Sequence, residues 1–451
     1  MKRDLHLLSA SQAVDGICAG QFSSEELTEA CLARIEETDK TIRAWAYLDP
    51  AEALASARMM DLIRRSGRAT GPLHGVPIGL KDIIDTVDMP TQRGSAIFAG
   101  RQPEADACIV ERLREAGAVI LGKTKTTELA FVHPTDTTNP HDPSRTPGGS
   151  SSGSAAAVAA HQVPLAIGTQ TNGSVIRPAS FCGIYGFKPT RGVISRRGVL
   201  QTSASLDQVG GFARTLEDVA LLSDVIGSYD PNDPLSFARP RPQMACGARA
   251  EVPVQPDIAW FDLPFNSRLD EDAREGLDAV ISQLGGRVER FAPAPQMTDL
   301  VAVQAIIHEY EINLHLASVF ENHWDRISQT LQPVIERARK ISPAQYEDAL
   351  EVKRSCEASF AKHFTDFDAI LAPSATGEAP LLTTNSTGDP VFCTLWTLAG
   401  LPTISLPLLV GENNLPVGVQ LIGGLEEDDR LLRTAAWMQT KLAGNAKTTE
   451  N

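Results

Sequence analysis

Pro147-Gly-Gly-Ser-Ser-Ser-Gly-Ser-Ala-Ala-Ala-Val-Ala-Ala160 is followed, after a short apolar run, by Gly168-Thr-Gln-Thr-Asn-Gly-Ser174. From Gly148 to Gly186 the chain is dominated by Gly, Ser, Ala and Thr. Small side chains let backbone approach backbone, or a ligand, closely. The interior of the stretch, Ser154 to Ala160, predicts a small-residue helix. A Gly/Ser loop feeding a helix presents backbone N–H groups at its mouth. Two ordinary loops would have this composition too, but two loops with such a helix between them read as a site built largely from backbone.

On either side of this segment, short apolar runs alternate with helical patterns. Val76–Leu80 reads as a strand leading into Lys81, residues 106–116 as a helix with Ile109, Val110 and Leu113 inward, and Val119–Leu121 as a buried strand. That alternation predicts an α/β architecture with strands at least partly parallel. Towards the N-terminus, Ser23 and Glu26 have capping-box spacing, and Leu27, Cys31 and Ile35 form one apolar stripe. A second helix is expected over Ala51 to Arg65, just after Pro50. Towards the C-terminus, six prolines (Pro231, Pro234, Pro240, Pro242, Pro253, Pro256) mark residues 231–256 as a long connection. Strand-like runs at Ile258–Phe261 and Ala369–Leu371 flank a mainly helical region, about 295–365. A last helix is expected from Asp428 to Leu442, with Leu431, Leu432, Ala435 and Met438 on one side.

The 451 residues suffice for one large core or two ordinary domains. Hydrophobic residues at 42% and charged residues at 22% are the balance of a soluble globular protein. The formal charge, 41 − 56 = −15, repels phosphate backbones and argues against a nucleic-acid partner, and it gives no reason to expect a membrane surface. Seven scattered cysteines with no C-x-x-C pair are expected to be reduced and structural, which fits a cytoplasmic location. The N-terminus lacks a sustained apolar run, and no stretch approaches a membrane-spanning length, so neither a secretory signal nor an anchor is expected.

Several motifs fail on inspection. Gly117-Ala-Val-Ile-Leu-Gly-Lys-Thr124 matches the P-loop pattern, but a phosphate cradle needs its middle positions open. Ala-Val-Ile-Leu there is expected inside a sheet with its backbone already paired. The nine histidines form no H-E-x-x-H and none adjoins paired cysteines, so no metal site is expected. His308 and His315, seven apart, are expected to pack or face solvent. Gly149-Ser-Ser-Ser-Gly153 contains G-x-S-x-G centred on Ser151, but Asp142-Pro-Ser-Arg-Thr-Pro147 is not the strand that a nucleophile elbow needs.

With these set aside, the chain resembles the amidase-signature family. The match runs through Gly75-Val-Pro-Ile-Gly-Leu-Lys81-Asp82, the 147–160 stretch, Gly168–Ser174 and Gly186-Phe-Lys-Pro-Thr190, and on to Leu415-Pro-Val-Gly-Val-Gln-Leu-Ile-Gly423. It thus covers nearly the whole chain, with 24 positions (174 − 150) between its two key serines. The resemblance implies a single α/β domain over 1–451 whose central mixed sheet is covered by helices on both faces. Within it, residues 1–70 would be N-terminal helices and 71–230 the signature core; 231–256 would be the Pro-rich connection. Residues 257–451 would complete the sheet and the substrate pocket.

The resemblance also implies a mechanism. Lys81 would be the base, Ser150 the bridging serine on a cis Gly149–Ser150 peptide, and Ser174 the nucleophile. Burial lowers a lysine's pKa, so a neutral Lys81 accepts a proton from Ser150, which takes one from Ser174. Ser174 then forms an acyl-enzyme. Thr171, Asn172, Gly173 and Ser174 would supply the oxyanion-hole N–H groups. No cofactor is required.

The usual family pattern is similar to G-T-D-T-G-G-S-I-R-x-P-A. Here Gln170 replaces the Asp, Asn172 a Gly and Ile176 the Arg, while Arg177 stands three places after Ser174. This spelling resembles a branch that includes malonamidase-like enzymes, in which an arginine receives a substrate carboxylate. Arg177, with Gly149, is therefore expected at the substrate; otherwise Arg177 ties a loop to a carbonyl or acid. The expected function is hydrolysis of a small amide by a homodimer, the amide bearing a carboxylate if Arg177 does meet substrate. The alternative is the glutaminase component of a tRNA-dependent amidotransferase, which works with partner subunits. A non-catalytic scaffold is disfavoured by the intact Lys81, Ser150 and Ser174.

Overall fold

Strand Pro77–Lys81 (β2) has every residue buried, as does Val119–Thr124 (β3) beside it. They run parallel, with Pro77 opposite Val119 and Lys81 opposite Thr124. On the other flank of β2 lies Leu165–Gln170 (β4), also parallel, with Leu80 opposite Ile167. Strands buried on both faces read as continuous apolar runs, which is why β2 and β3 were visible in the sequence. The structure is a computed structural model that describes residues 4–292 and 297–448.

The remaining strands are Trp45–Leu48 (β1), Tyr185–Lys188 (β5), Gln208–Ala213 (β6), Ile258–Phe261 (β7), Val288–Phe291 (β8), Ala369–Pro373 (β9), Thr403–Val410 (β10) and Pro416–Ile422 (β11). Together they form one mixed sheet in the order β1-β3-β2-β4-β6-β5-β10-β11-β9-β7-β8. β4 and β6, β5 and β6, β5 and β10, and β10 and β11 pair antiparallel, whereas β7 is parallel to β8 and β9. The pairing of Phe187 with Ile404 joins the early and late parts of the chain in a single sheet. Helices flank this sheet, giving one large α/β domain.

The local signals translate into structure with small shifts. Ser23 caps helix Ser24–Ile42 through a complete capping box with Glu26, and Leu27, Cys31 and Ile35 are buried. Asp49 caps the next helix, Pro50–Arg65, with Pro50 in its first turn. The helix expected over 106–116 is Cys108–Glu115. The last helix, Asp428–Thr448, buries Leu431, Leu432, Ala435 and Met438. Thr190, from the Gly186–Thr190 motif, donates through its N–H and Oγ1 to the Asp428 carboxylate at 2.7 Å each, docking that helix.

The region 295–365 is mainly helical from Met297 onward; residues 295 and 296 lie outside the described residues. The Pro-rich connection differs from expectation in one respect. It contains a short helix, Met244–Arg249, whose first N–H groups, on Met244 and Ala245, are both accepted by Asp224 at 2.8 Å. A cap supplied from another helix leaves no local sequence signal.

The P-loop look-alike is sheet, as its apolar middle requires. A side chain at Gly122 would stand 2.3 Å from the Tyr47 carbonyl, so this glycine serves the pairing of β3 with β1. Lys123 is fully buried and spends its ammonium on the Ile84 carbonyl and, at 2.9 Å, on Thr91 Oγ1. No helix among the described residues is long and apolar enough to cross a membrane.

Candidate active site

Lys81 ends β2, and the parallel register puts the end of β4 beside it. Its Nζ donates to Thr169 Oγ1 at 2.8 Å and to Ser150 Oγ at 2.7 Å. The side chain is fully buried. Desolvation pulls its pKa from the ordinary 10.5 down to about 7, against the opposing pull of the Asp207 carboxylate. A lysine so placed can accept a proton near neutral pH. Asp207 is itself buried and its carboxyl is pushed up by burial, while N–H groups of Thr202 and Ser203 at 2.7 and 2.9 Å and the Thr171 hydroxyl hydrogen-bond to it.

Ser150 sits in the Gly/Ser loop just before helix Ser152–Ala159, which begins two residues earlier than expected. The Gly149–Ser150 peptide is cis, as the resemblance implied. The loop is pinned by Ser152 Oγ on the Gly148 carbonyl at 2.7 Å and by the Thr127 N–H on the Ser150 carbonyl at 3.2 Å. The helix packs so closely that a side chain at Gly153 would lie 2.1 Å from the Ala44 carbonyl. Ser151, the centre of the look-alike elbow, is buried and donates to the Thr169 carbonyl at 3.2 Å. It is a tie between loop and strand.

Ser174 follows β4 and precedes helix Ile176–Cys182, partly exposed on a pocket of about 410 Å³. Ser150 Oγ is hydrogen-bonded to Lys81 rather than to Ser174. Gln170 organises the loop between β4 and this helix. Its Oε1 accepts from the N–H groups of Val175 and Ile176 at 2.8 and 3.0 Å, and its Nε2 donates to Thr397 Oγ1 at 2.9 Å. A neutral amide thus caps the short helix where the usual pattern has Asp, and the fully buried Ile176 leaves no cation waiting for a carboxylate.

The first three carbonyls of this loop are engaged. Thr171 O accepts from Gln304 Nε2 at 3.1 Å, Asn172 O from Thr397 Oγ1, and Gly173 O from the Arg177 N–H at 3.0 Å. In a trans peptide the carbonyl and the following N–H point opposite ways. The N–H groups of Asn172, Gly173 and Ser174 are therefore aimed away from those partners.

Arg177 is buried at the pocket wall. It donates Nε to the Thr387 carbonyl at 2.8 Å, and Nη2 to the Gly149 carbonyl at 2.6 Å and to Thr387 Oγ1 at 3.1 Å. It therefore ties the helix that follows Ser174 to the loop of Ser150, with Gly149 contributing its carbonyl to that tie. Its Nη1 has no hydrogen-bond partner among the described residues. Further lining comes from helix Met297–His315 through Gln304, His308 and Glu309. His308 is half-buried, packs on Phe131 with ring centroids 4.4 Å apart, and is pushed by desolvation down to about 3, which favours the neutral ring. It packs, as expected, but at the pocket, whereas His315 is exposed. Among the described residues no group of three or more His, Cys, Asp or Glu side chains is placed to hold a metal ion.

Residue patterns had not singled out Thr169, Asp207, Gln304, Thr394 or Thr397. Each acts through strand register or through a contact more than thirty positions distant, for which a sequence carries no local sign.

The family model described as amidase matches residues 26–432. The A-type component of the glutamyl-tRNA(Gln) amidotransferase of Chloroflexus aurantiacus is 37% identical over 474 residues, covering 95% of this chain and 96% of that protein. That name corresponds to the alternative reading, the amidotransferase component, and not to a small-molecule amidase. Among solved structures, the native peptide amidase of Stenotrophomonas maltophilia superposes with a TM-score of 0.83 at 29% identity, covering 96% of this chain and 97% of that one. The 6-aminohexanoate cyclic dimer hydrolase bound to substrate superposes with a TM-score of 0.87 at 25% identity, covering 97% and 98%. Whole-length similarity and the dry lysine held on a serine agree, and this chain belongs to the amidase, or amidase-signature, family as an enzyme acting on amide C–N bonds.

Proposed function

We propose that this chain hydrolyses a carboxylic amide through an acyl-enzyme on Ser174, with Ser150 passing protons between Ser174 and neutral Lys81. The observation that carries the reading is the fully buried Lys81, with a pKa near 7, in hydrogen-bond contact with Ser150 Oγ. Ser174 Oγ attacks the carbonyl carbon while its proton goes to Ser150 and Ser150's proton goes to Lys81. The oxyanion is received by N–H groups of the 171–174 loop, whose carbonyls are held on the other side. Collapse breaks the C–N bond, and the relay, reversed, returns the proton to the leaving amine or ammonia. Water then repeats the sequence on the ester and frees the acid.

Two substrate readings share this chemistry. Whole-length similarity to the A-type amidotransferase component favours a glutaminase that releases ammonia for partner subunits. The likeness to the peptide amidase and the cyclic dimer hydrolase, with the departures at Gln170, Ile176 and Arg177, supports a self-sufficient amidohydrolase, expected as a homodimer. The amidotransferase relative is the more similar of these. The unpartnered Nη1 of Arg177 supports a carboxylate on the substrate in either case, since glutamine also carries one. The likeness to malonamidase-like enzymes rests on the position of Arg177 alone.

The test measures ammonia or amine release from glutamine and from neutral, aromatic and carboxylated amides by wild type and Ser174→Ala. Turnover and fluorophosphonate labelling are expected in the wild type and lost in the variant. Wild-type hydrolysis by Ser174→Ala would sink the mechanism. Co-purification of a stable heteromer with glutaminase activity selects the first substrate reading; a free-standing dimer active on other amides selects the second.

A further inference from the structure

We propose that Gln304 is a positioning residue for the oxyanion loop, holding the Thr171–Asn172 peptide so that the Asn172 N–H is aimed at the substrate oxygen. The proposal rests on the amidase reading above. Gln304 lies on helix Met297–His315, 132 positions from Asn172 in sequence, and is 3% exposed. Its amide uses both ends on one loop. Nε2 donates to the Thr171 carbonyl at 3.1 Å, and Oε1 accepts from Asn172 Nδ2 at 3.2 Å. The first bond fixes a peptide plane, and the N–H on the far side of that plane belongs to Asn172.

The second bond makes Asn172 part of a bridge. Asn172 Oδ1 accepts from Thr394 Oγ1 at 2.8 Å, and Thr394 lies on helix Val391–Leu398. The loop is thus gripped from two helices through one side chain. The usual family pattern has glycine at this position, which offers no side chain to grip. The asparagine thus adds a grip on the loop that a glycine at this position could not make.

The helix that carries Gln304 has a fixed register against the loop. Seven residues on, the buried Glu311 accepts from Ser205 N–H at 3.1 Å and from the hydroxyls of Ser203, Ser205 and Tyr346. That anchors the helix to the 202–207 segment, whose Asp207 in turn holds the Thr171 hydroxyl. Gln304 consequently meets the oxyanion loop from a rigid support on the wall of the same pocket that Ser174 lines. A neutral amide suits the place. It donates to a carbonyl and accepts from an amide without burying a charge beside a forming oxyanion.

The experiment compares wild type, Gln304→Leu and Gln304→Glu in the full chain, with Asn172→Gly alone and combined with Gln304→Leu. Leucine removes both bonds; glutamate keeps the acceptor for Asn172 but loses the donor to Thr171 O. Three quantities are read: kcat and KM on the best amide, Ki for a boronic acid that forms a tetrahedral adduct on Ser174, and Ki for the product acid. Gln304→Leu is expected to lower kcat by about 10- to 100-fold, short of the loss of an oxyanion donor outright. KM and product-acid Ki should stay within about threefold, and boronate affinity should fall in step with kcat. Gln304→Glu should show the same pattern, which covers the case in which the leucine variant does not fold. Asn172→Gly should cost less in the Gln304→Leu background than alone, because the two side chains act as one unit.

A Gln304→Leu or Gln304→Glu enzyme with kcat and boronate affinity within about twofold of wild type overturns the proposal. So does a loss that appears equally in kcat, product binding and melting temperature, which is what mere unpacking would cause. A wild type that neither hydrolyses amides nor labels at Ser174 overturns the amidase reading and this proposal with it. An active wild type with indifferent Gln304 variants overturns this proposal alone.

Discussion

Lys81→Met separates the folding cost of the buried amine from its chemical use. Methionine keeps an unbranched stem of similar volume and lacks the Nζ ammonium, with its charge and its two hydrogen bonds. In the unfolded chain Lys81 has its ordinary pKa of 10.5; in the fold it is drawn down to about 7. At about 1.4 kcal/mol per tenfold, that gap corresponds to a penalty on the order of 5 kcal/mol at pH 6 and below. A depressed folded value means that the unfolded chain binds the extra proton between pH 7 and 10.5. Wild-type stability therefore rises with pH across that window, by about 1.4 kcal/mol per pH unit, and this contribution is lost as pH falls to 7. Against the penalty stand two hydrogen bonds, to Ser150 and Thr169, at about 1 kcal/mol each.

The methionine variant is accordingly expected to be about 3 kcal/mol more stable than wild type at pH 6. The difference should be about 2 kcal/mol at pH 7 and vanish near pH 9. Urea denaturation of both proteins at pH 6, 7, 8 and 9 measures the difference, in which titrating groups that do not act on Lys81 cancel. The same lysine predicts that wild-type kcat/KM rises with pH to a plateau with a midpoint near 7, while the methionine variant is inactive. A variant less stable than wild type at pH 6, or a stability difference that does not change with pH, would overturn this account of the lysine.

Two further outcomes follow from the loop around Ser174. Arg177→Lys should raise KM for carboxylate-bearing amides more than for neutral ones, because Nη1 is the guanidinium nitrogen left free by the ties to Thr387 and Gly149. Steady-state kinetics on a matched pair of amides checks this, and equal effects on both would leave Arg177 a purely structural tie. Gln170→Asp, which restores the usual family residue, should destabilise by about 1–3 kcal/mol in urea unfolding, because it removes the donor to Thr397 and buries a carboxylate without the usual Arg at position 176. Adding Ile176→Arg should recover part of the loss; no loss in the single variant, or no recovery in the double, counts against the account of Gln170.

Several elements were legible because their causes are local. The capping box at Ser23 and Glu26 and the buried strands β2, β3 and β7 depend on residues within one turn or one strand of each other. The P-loop look-alike is of the same kind, since Ala-Val-Ile-Leu favours a buried strand over an open cradle. Residue patterns also located the Gly/Ser site, but only the family resemblance assigned Lys81, Ser150 and Ser174 to their places in it.

What the chain's own order of residues could not reveal was contact between distant segments. Thr169 meets Lys81 because β2 and β4 are parallel neighbours in one register, a pairing that no residue pattern specifies. Gln304 reaches Asn172, and Arg177 reaches Thr387, across 132 and 210 positions. The Met244–Arg249 helix is capped by Asp224 from another helix, so it looked like a plain connection. Propensity and periodicity are short-range quantities, whereas a site's geometry is set by sheet order and side-chain packing after the whole chain has closed. Local patterns thus determined the elements and the Gly/Ser site, and only the closed sheet decided that the lysine would be dry, doubly hydrogen-bonded and near pKa 7.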